Sequence, residues 1–558
     1  MLGIIVRRSL LLLGLTLLTG SVLVPQSSFA VDVDKGLKDL LKDKSVELVP
    51  VVMIYHEPVT IGDLTFELDR LTPEKRRKSA LQALKRKNRK VQQDALNLLE
   101  DPGMSDHVKN VRHLYMAGAI SFQASREAVE SLAGLADNAT LFYNQGFDMT
   151  AATSRGPRPG EKVLTDRADT TWNIKWIDAD RVWNELGYTG AGVVVGHIDS
   201  GVLVSHSDLV NQLYINVAEV PGNGIDDDMN GYVDDWRGWD FGLGDNNPND
   251  DGGSPGHGTH TAGTVAGDGT GGTHTGVAPG AKIMGCKVAD ATGSMTLGAI
   301  WEAQQYCAEN GARIITMSLG IPGEVPASYM RTERVIADNL RGLGVTFFNS
   351  AGNNNYDADE PPIELGMTAR VPSPWTVEGT AYSNTGGVIT IGGTGYRSDA
   401  MYGSSSRGPA KWDDVDPYND WPYLPGPGLI KPDVSAPGVN INSTTVSGGY
   451  SGETWSGTSM STPLVAGVAA LMLEKNPSLS PAGIDSLLQL NAIDFGTVGK
   501  DNNYGAGRID AYATLMATPE TILADLHQSR VLPDPSGDGV LDPGENSTMA
   551  FEITNASP

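Results

Sequence analysis

Between residues 193 and 391 the chain repeats one unit, a short β-branched run followed by a stretch of helical spacing. The runs are Val193 to Ile198, Ile283 to Val288, Ile314 to Met317, Val345 to Ser350 and Val388 to Ile391. Continuous apolar runs suit strands buried on both faces, and a strand that returns through a helix lies parallel to its predecessor. The expectation is an α/β fold, a mostly parallel central sheet between two helical layers. In such sheets, reactive residues gather at the carboxyl ends of the strands. Asp199 follows one such end and Asn353 another. Two further patterns read as helices, His257 to Ala266 and Thr458 to Glu474.

Three Gly/Ser/Thr-rich segments punctuate this region: His197-Ile198-Asp199-Ser200-Gly201, then Gly256-His257-Gly258-Thr259-His260-Thr261-Ala262-Gly263, then Gly457-Thr458-Ser459-Met460-Ser461-Thr462-Pro463. Taken singly, an Asp after a strand is a turn residue, a His in a Gly-rich turn is structural (the reading given to His260), and a Ser before a helix is an N-cap. Taken together they supply a hydroxyl nucleophile, an imidazole base and a carboxylate that fixes its tautomer. The order Asp, His, Ser differs from that of chymotrypsin and of the α/β-hydrolases, which argues against an esterase of that class.

These segments resemble those of the subtilisin-like serine proteases. Met317-Ser318-Leu319-Gly320, Ser350-Ala351-Gly352-Asn353 and Lys431-Pro432-Asp433-Val434-Ser435-Ala436-Pro437-Gly438 extend the resemblance over roughly residues 170 to 516. It implies a serine endopeptidase acting on proteins or peptides through an acyl-enzyme. Ser459 would be the nucleophile, His257 the base and then acid, Asp199 its orienting carboxylate, and Asn353 an oxyanion donor beside the Ser459 N–H. Ser318, Leu319 and Gly320 would form an edge strand for substrate, with Ala351 and Gly352 across the pocket. Ser461 and Thr462 stand where an Ala-Ser pair is common, and both stay small. Asp357 to Gly387 and Lys411 to Gly428 read as insertions. The alternative is a catalytically inactive relative kept as a binding or scaffold protein.

The segment boundaries follow from composition. Residues 1–30 read as a signal peptide: Arg7 and Arg8, an apolar run, then Ser28-Phe29-Ala30. Residues 31–150 read as a small α+β domain in a β-α-β-α-β rhythm: Val46 to Tyr55, Pro73 to Glu100, Ala119 to Phe122, Arg126 to Leu135, Ala139 to Tyr143. That rhythm resembles the inhibitory pro-segments of the same proteases. Residues 151–170 are a Pro/Gly/Arg-bearing linker and processing region, 171–516 the protease domain, and 517–558 a linker and the start of a β-rich module. The expected protein is therefore a secreted, extracellular or periplasmic monomer, held by its own pro-domain until cleaved and free of the membrane once the signal is removed.

The net charge of −26 lies almost wholly beyond residue 150, since residues 31–150 carry only −1. A phosphate-binding surface needs cations, so nucleic acid is excluded as a partner. The basic cluster Lys85 to Lys90 reads as the solvated face of a helix. The carboxylates suit calcium. Residues 223–235 place Asp226, Asp228, Asn230 and Asp235 around a Gly turn, but Arg237 replaces the twelfth-position Glu of an EF-hand loop. Asp534, Ser536, Asp538, Asp542 and Glu545 keep EF-hand spacing, without convincing flanking helices. Structural Ca2+ is expected. The two cysteines, Cys286 and Cys307, sit on a strand and the following helix, which leaves a disulfide and two buried thiols equally open.

Overall fold

The computed structural model describes residues 31–43, 45–64, 73–148, 170–251, 256–321, 323–354, 365–376, 385–423, 426–521, 524–532 and 548–555. The first unit is a five-stranded sheet in the order β1-β5-β2-β4-β3. Its strands are β1 (Asp32–Val33), β2 (Val49–Tyr55), β3 (Val108–Leu114), β4 (Ala119–Ala124) and β5 (Ala139–Tyr143). Four helices accompany it: α1 (Lys35–Leu40), α2 (Pro73–Val91), α3 (Gln93–Leu99) and α4 (Arg126–Ala133). Two features depart from the expectation. The long helix divides at Gln92, and β1, α1 and β3 are additional. β3 escapes the pattern because Val108 and Leu114 alone are buried along it.

A two-residue strand, β6 (Phe147–Asp148), leaves this unit and pairs antiparallel with β10 (Ser294–Met295). The second unit holds seven strands: β7 (Val194–Asp199), β8 (Gly238–Asp240), β9 (Lys282–Lys287), β11 (Ile314–Met317), β12 (Thr346–Ser350), β13 (Val388–Thr394) and β14 (Val434–Pro437). Their order is β14-β13-β12-β11-β7-β9-β8, and every pairing is parallel. The expected mostly parallel, three-layer α/β architecture is present.

Helices α7 (His257–Ala266) and α10 (Thr458–Lys475) pack on one face, among Val195, Ile314, Phe348 and Leu464. Between them in sequence come α8 (Leu297–Glu309) and α9 (Ala327–Gly342); the short α5 (Trp172–Trp176) and α6 (Ala179–Arg181) precede β7, and α11 (Pro481–Leu490) and α12 (Ala511–Ala517) close the unit. Along α10 the side chains from Thr458 to Leu473 are all buried. A Cβ on Gly467 would come within 2.6 Å of the Val277 Cβ, so glycine is what lets this helix pass so closely. A final hairpin joins β15 (Ala524–Leu532) and β16 (Thr548–Asn555).

The two units share one apolar core. Val52, Ile61, Met116 and Phe142 of the first belong to the same buried cluster as Trp301, Ile336 and Leu340 of the second. Polar contacts fix the register. Buried Asn339 on α9 accepts from the Ile61 N–H at 2.7 Å and donates to the Met116 carbonyl at 2.8 Å. Tyr115 donates to Glu309 at 2.9 Å.

Candidate active site

Asp199 is the last residue of β7 and His257 the first of α7. His257 Nδ1 lies 2.7 Å from Asp199 Oδ1, and both side chains are buried. The Ser200 N–H donates to the same carboxylate oxygen at 2.7 Å, and the Thr261 hydroxyl donates to Oδ2 at 3.0 Å. His197 Nε2 stands 2.8 Å from the Thr261 oxygen. The hydroxyl's one proton has the Asp199 carboxylate and the His257 and Gly258 carbonyls, at 3.2 and 3.1 Å, as acceptors, so in the contact with His197 it is Nε2 that supplies the hydrogen. Burial keeps His197 neutral by pulling its pKa down to about 4. The Asp199 carboxylate is therefore held by a neutral donor on each oxygen, with His257 sharing Oδ1.

Burial alone would lower the His257 pKa, but the Asp199 carboxylate and its hydrogen bond override it and hold the ring above its ordinary value. Asp199 moves the other way: desolvation opposes its charge, and His257 keeps it below the usual carboxylate range. The two shifts agree on a pair in which the carboxylate is ionised and the imidazolium favoured. Close packing makes this possible. A Cβ on Gly258 would collide with the Gly201 carbonyl, so the loop after β7 and the first turn of α7 can meet only through glycine.

Ser459 sits in the first turn of α10. Its Oγ donates to the Ser318 carbonyl at 3.2 Å, and the Ser318 hydroxyl returns a bond to the Ser459 carbonyl at 2.8 Å. His257 Nε2 is buried and has no hydrogen-bond partner among the described residues. The serine is thus turned toward β11 in this state. Catalytic contacts of this type commonly tighten only around substrate. Asn353 follows β12, and its Oδ1 accepts from the Thr458 N–H at 2.9 Å and the Thr458 hydroxyl at 3.2 Å. That anchoring commits the NH2 end of the amide to the opposite side. A buried Asp at a strand end, a His and a Ser on two helix N-termini, and an amide beside the serine form one constellation at the carboxyl edge of the sheet.

The model of the subtilase family matches residues 190–507. The chain belongs to the subtilase family. It is 32% identical to subtilisin DY of Bacillus licheniformis over 61% of this chain and 97% of that protein. It is 26% identical to bacillopeptidase F of Bacillus subtilis (strain 168) over 80% of this chain, which spans only 29% of that much longer protein. M-protease of Shouchella clausii (strain KSM-K16) is 29% identical over 63% of this chain and 71% of its own. The protein is accordingly a serine-type endopeptidase.

Around this subtilase site the residues expected to line the cleft divide. Ser318, Leu319 and Gly320 continue from β11 but form no ladder, so the expected edge strand is an unpaired segment. It is held from behind by Asn349, which donates to the Met317 and Leu319 carbonyls at 2.8 Å each. Ala351 is buried, and the Gly352 N–H donates to the Thr458 hydroxyl at 3.2 Å. Thr458 and Thr261 are contributors the sequence reading passed over. Each lies inside a quoted motif, beside a residue with a more obvious role.

The acidic loop also rearranges the expected set. Carboxylate oxygens of Asp228, Asp235 and Glu219 lie within 4.8 Å of one another. Asn230 donates its amide to Asp235 at 3.0 Å, and Asp226 instead caps the loop by accepting from the Asn230 and Gly231 N–H groups. Glu219 lies outside the loop and was not expected. Its own Oε1 accepts from the Asp227 N–H at 2.9 Å and the Asp228 N–H at 3.1 Å. Burial pushes the Asp235 carboxyl up, as expected where carboxylates converge. Converging hard oxygens are the donor set calcium takes. The set Asp534, Ser536, Asp538, Asp542 and Glu545 lies outside the described residues. Cys286 and Cys307 meet in the core with their sulfurs 3.4 Å apart, unbridged.

Proposed function

We propose that this subtilase is a secreted endopeptidase made as a self-inhibited precursor. Asp199, His257 and Ser459 form its triad, and Asn353 with the Ser459 N–H forms its oxyanion hole. The observation that carries this is the buried 2.7 Å pair between His257 and Asp199, beside a serine in a helix's first turn. Ser459 rotates from the Ser318 carbonyl to His257 Nε2 and attacks the peptide carbonyl as His257 takes its proton. The helix N-terminus and the Asn353 amide stabilise the developing negative charge. The imidazolium then protonates the leaving amine, and water completes the cycle in the same sense.

The division proposed is a signal over 1–30, a pro-domain over 31–150, a processing region over 151–170, the catalytic domain over 171–516 and a module from 517. The shared core and the Asn339 clasp support the inhibitory role of the pro-domain, because they place it against α8 and α9 while β6 runs beside β10. Calcium is proposed at Asp228, Asp235 and Glu219, with Asn230 in support, as a stabiliser that takes no part in the chemistry. Among the described residues no helix is long and apolar enough to cross a membrane.

The deciding experiment is fluorophosphonate labelling with mass mapping, run beside casein hydrolysis and a Ser459→Ala control. Label on Ser459 together with casein cleavage, both lost in the variant, is the expected result. Fully processed, calcium-loaded protein that takes no label would reject the triad and favour an inactive, scaffold-type relative.

A further inference from the structure

Asp250 is a buried carboxylate that the triad chemistry leaves unused. It is 7% exposed and stands on the loop before α7. Its Oδ2 accepts from the Thr259 N–H at 3.0 Å and from the Thr259 hydroxyl at 2.7 Å. The residue at the N-cap position, Gly256, has φ +81° and no side chain to offer. First-turn N–H groups need acceptors, so Asp250 caps this helix from outside it.

The same loop is stapled to the strand end that carries Asp199. The Val202 N–H donates to the Pro248 carbonyl at 2.9 Å, and the Leu203 N–H to the Thr259 hydroxyl at 3.0 Å. A Cβ on Gly201 would come within 2.8 Å of the Asp250 nitrogen. Asp250 therefore ties together the two segments that hold the His257–Asp199 pair.

Its second oxygen, Oδ1, is buried as well, and the carboxylate also draws on the Ser200 side chain for a hydrogen bond. A buried carboxylate charge is costly, and a cap needs only one oxygen. A Ser, Thr or Asn would cap the helix without carrying that charge. The titratable groups facing one another here are Asp199 and His197 from β7, His257 and His260 from α7, and Asp250 from the loop. Of these, Asp199 and Asp250 are the carboxylates that favour the His257 imidazolium. Burial, and then the Asp199 charge, raise the Asp250 carboxyl itself, against the lowering hydrogen bonds from Thr259 and Ser200.

We propose that Asp250 is a positioning residue for His257, holding the first turn of its helix and adding, when ionised, a second negative charge behind the imidazolium that forms during turnover. This rests on the triad reading above. The role is electrostatic and geometric, and Asp250 touches no substrate.

The test compares Asp250→Asn and Asp250→Ala with the full-chain enzyme. Asn keeps an oxygen acceptor and the volume but removes the charge. The expected result for Asn is a kcat fall on the order of tenfold with KM nearly unchanged. The acid limb of kcat/KM should move about one unit to lower pH, since the imidazolium has lost a supporting carboxylate. Asp250→Ala should add a drop in Tm from the lost cap. An unchanged kcat and acid limb in Asp250→Asn overturns the proposal and leaves a plain helix cap. If the Asn variant does not fold, Asp250→Ser, an uncharged N-cap, reads the same limb, and an unmoved limb there overturns the proposal equally. Failure of the wild-type chain itself to label or to cleave casein removes the triad reading, and this proposal with it.

Discussion

At the residue scale, the chemistry depends on how few groups share each proton. Thr261 gives its hydrogen to Asp199 and accepts from His197, so Thr261→Val would leave two buried polar atoms short of that partner. A loss of about 1–3 kcal/mol in unfolding free energy is expected, with reduced turnover, read by urea denaturation and casein assay. On the proposed oxyanion role, Asn353→Ala should lower kcat by about 10²–10³ with little change in KM, because the amide would act on charge that exists only in the transition state. The pH dependence follows from the raised His257 pKa. With the neutral ring as the proposed base, kcat/KM should rise through an apparent pKa above the ordinary imidazole value of about 6.5. The linked stability has the opposite sense: a raised His pKa stabilises the fold most below the unfolded-state value, and that contribution is lost as pH rises through the folded value. An acid limb below 6.5 in a pH-rate profile would contradict the His257–Asp199 pairing as the controlling ionisation.

At the scale of elements, close packing decides where substitutions hurt. An Ala for Gly inside a helix ordinarily gains about 1 kcal/mol. At Gly467 the new Cβ would press on Val277, and overpacking of that kind costs about 1–3 kcal/mol. The clash should win, so Gly467→Ala should lower Tm. The segment from Lys411 to Gly428, read as an insertion, is tied to α9 by one residue. Arg334 is fully buried, bonds both Asp420 oxygens at 2.9 Å, and its guanidinium lies 3.9 Å from the Tyr418 ring centre and 4.7 Å from that of Trp412. Removing one partner of a buried pair strands the other charge, so Arg334→Ala should cost about 3–5 kcal/mol by denaturant titration. The insertion is a built part of the catalytic unit.

At the scale of the molecule, two separate sheets are joined through one core. If calcium sits at Asp228, Asp235 and Glu219, saturating it at about a hundred times its Kd adds roughly 2.7 kcal/mol to the folded state. Chelation should then lower Tm by several degrees, and Glu219→Gln should abolish the calcium-dependent part of Tm, with the metal-free value also reduced because both Glu219 oxygens accept from the Asp227, Asp228 and Asp234 N–H groups. Equal melting with and without calcium in the wild type would remove the site. The contact between units predicts a processing phenotype as well. Asn339→Leu strips both hydrogen bonds that hold Ile61 and Met116, so full-chain protein should yield less processed enzyme by gel analysis.

Much of this was legible in the chain itself. Apolar runs placed β7, β9, β11 and β12 within a residue or two, and the start of β13, because strands buried on both faces carry unbroken apolar sequence. Asp199, His257 and Ser459 stood out because reactive groups need tight, small-residue turns, and such turns leave local signatures. What tertiary structure alone decided is pairing across sequence distance. Glu219 joins Asp228 and Asp235, Asp250 reaches Thr259, Thr458 takes the Asn353 oxygen, and Asn339 clasps the first unit. None of these pairs has a periodicity, since each is set by where two loops or helices happen to meet. Sequence writes the local conformations and the reactive groups; only the packed fold chooses which polar atoms face one another, because burial removes the water that would otherwise satisfy each of them alone.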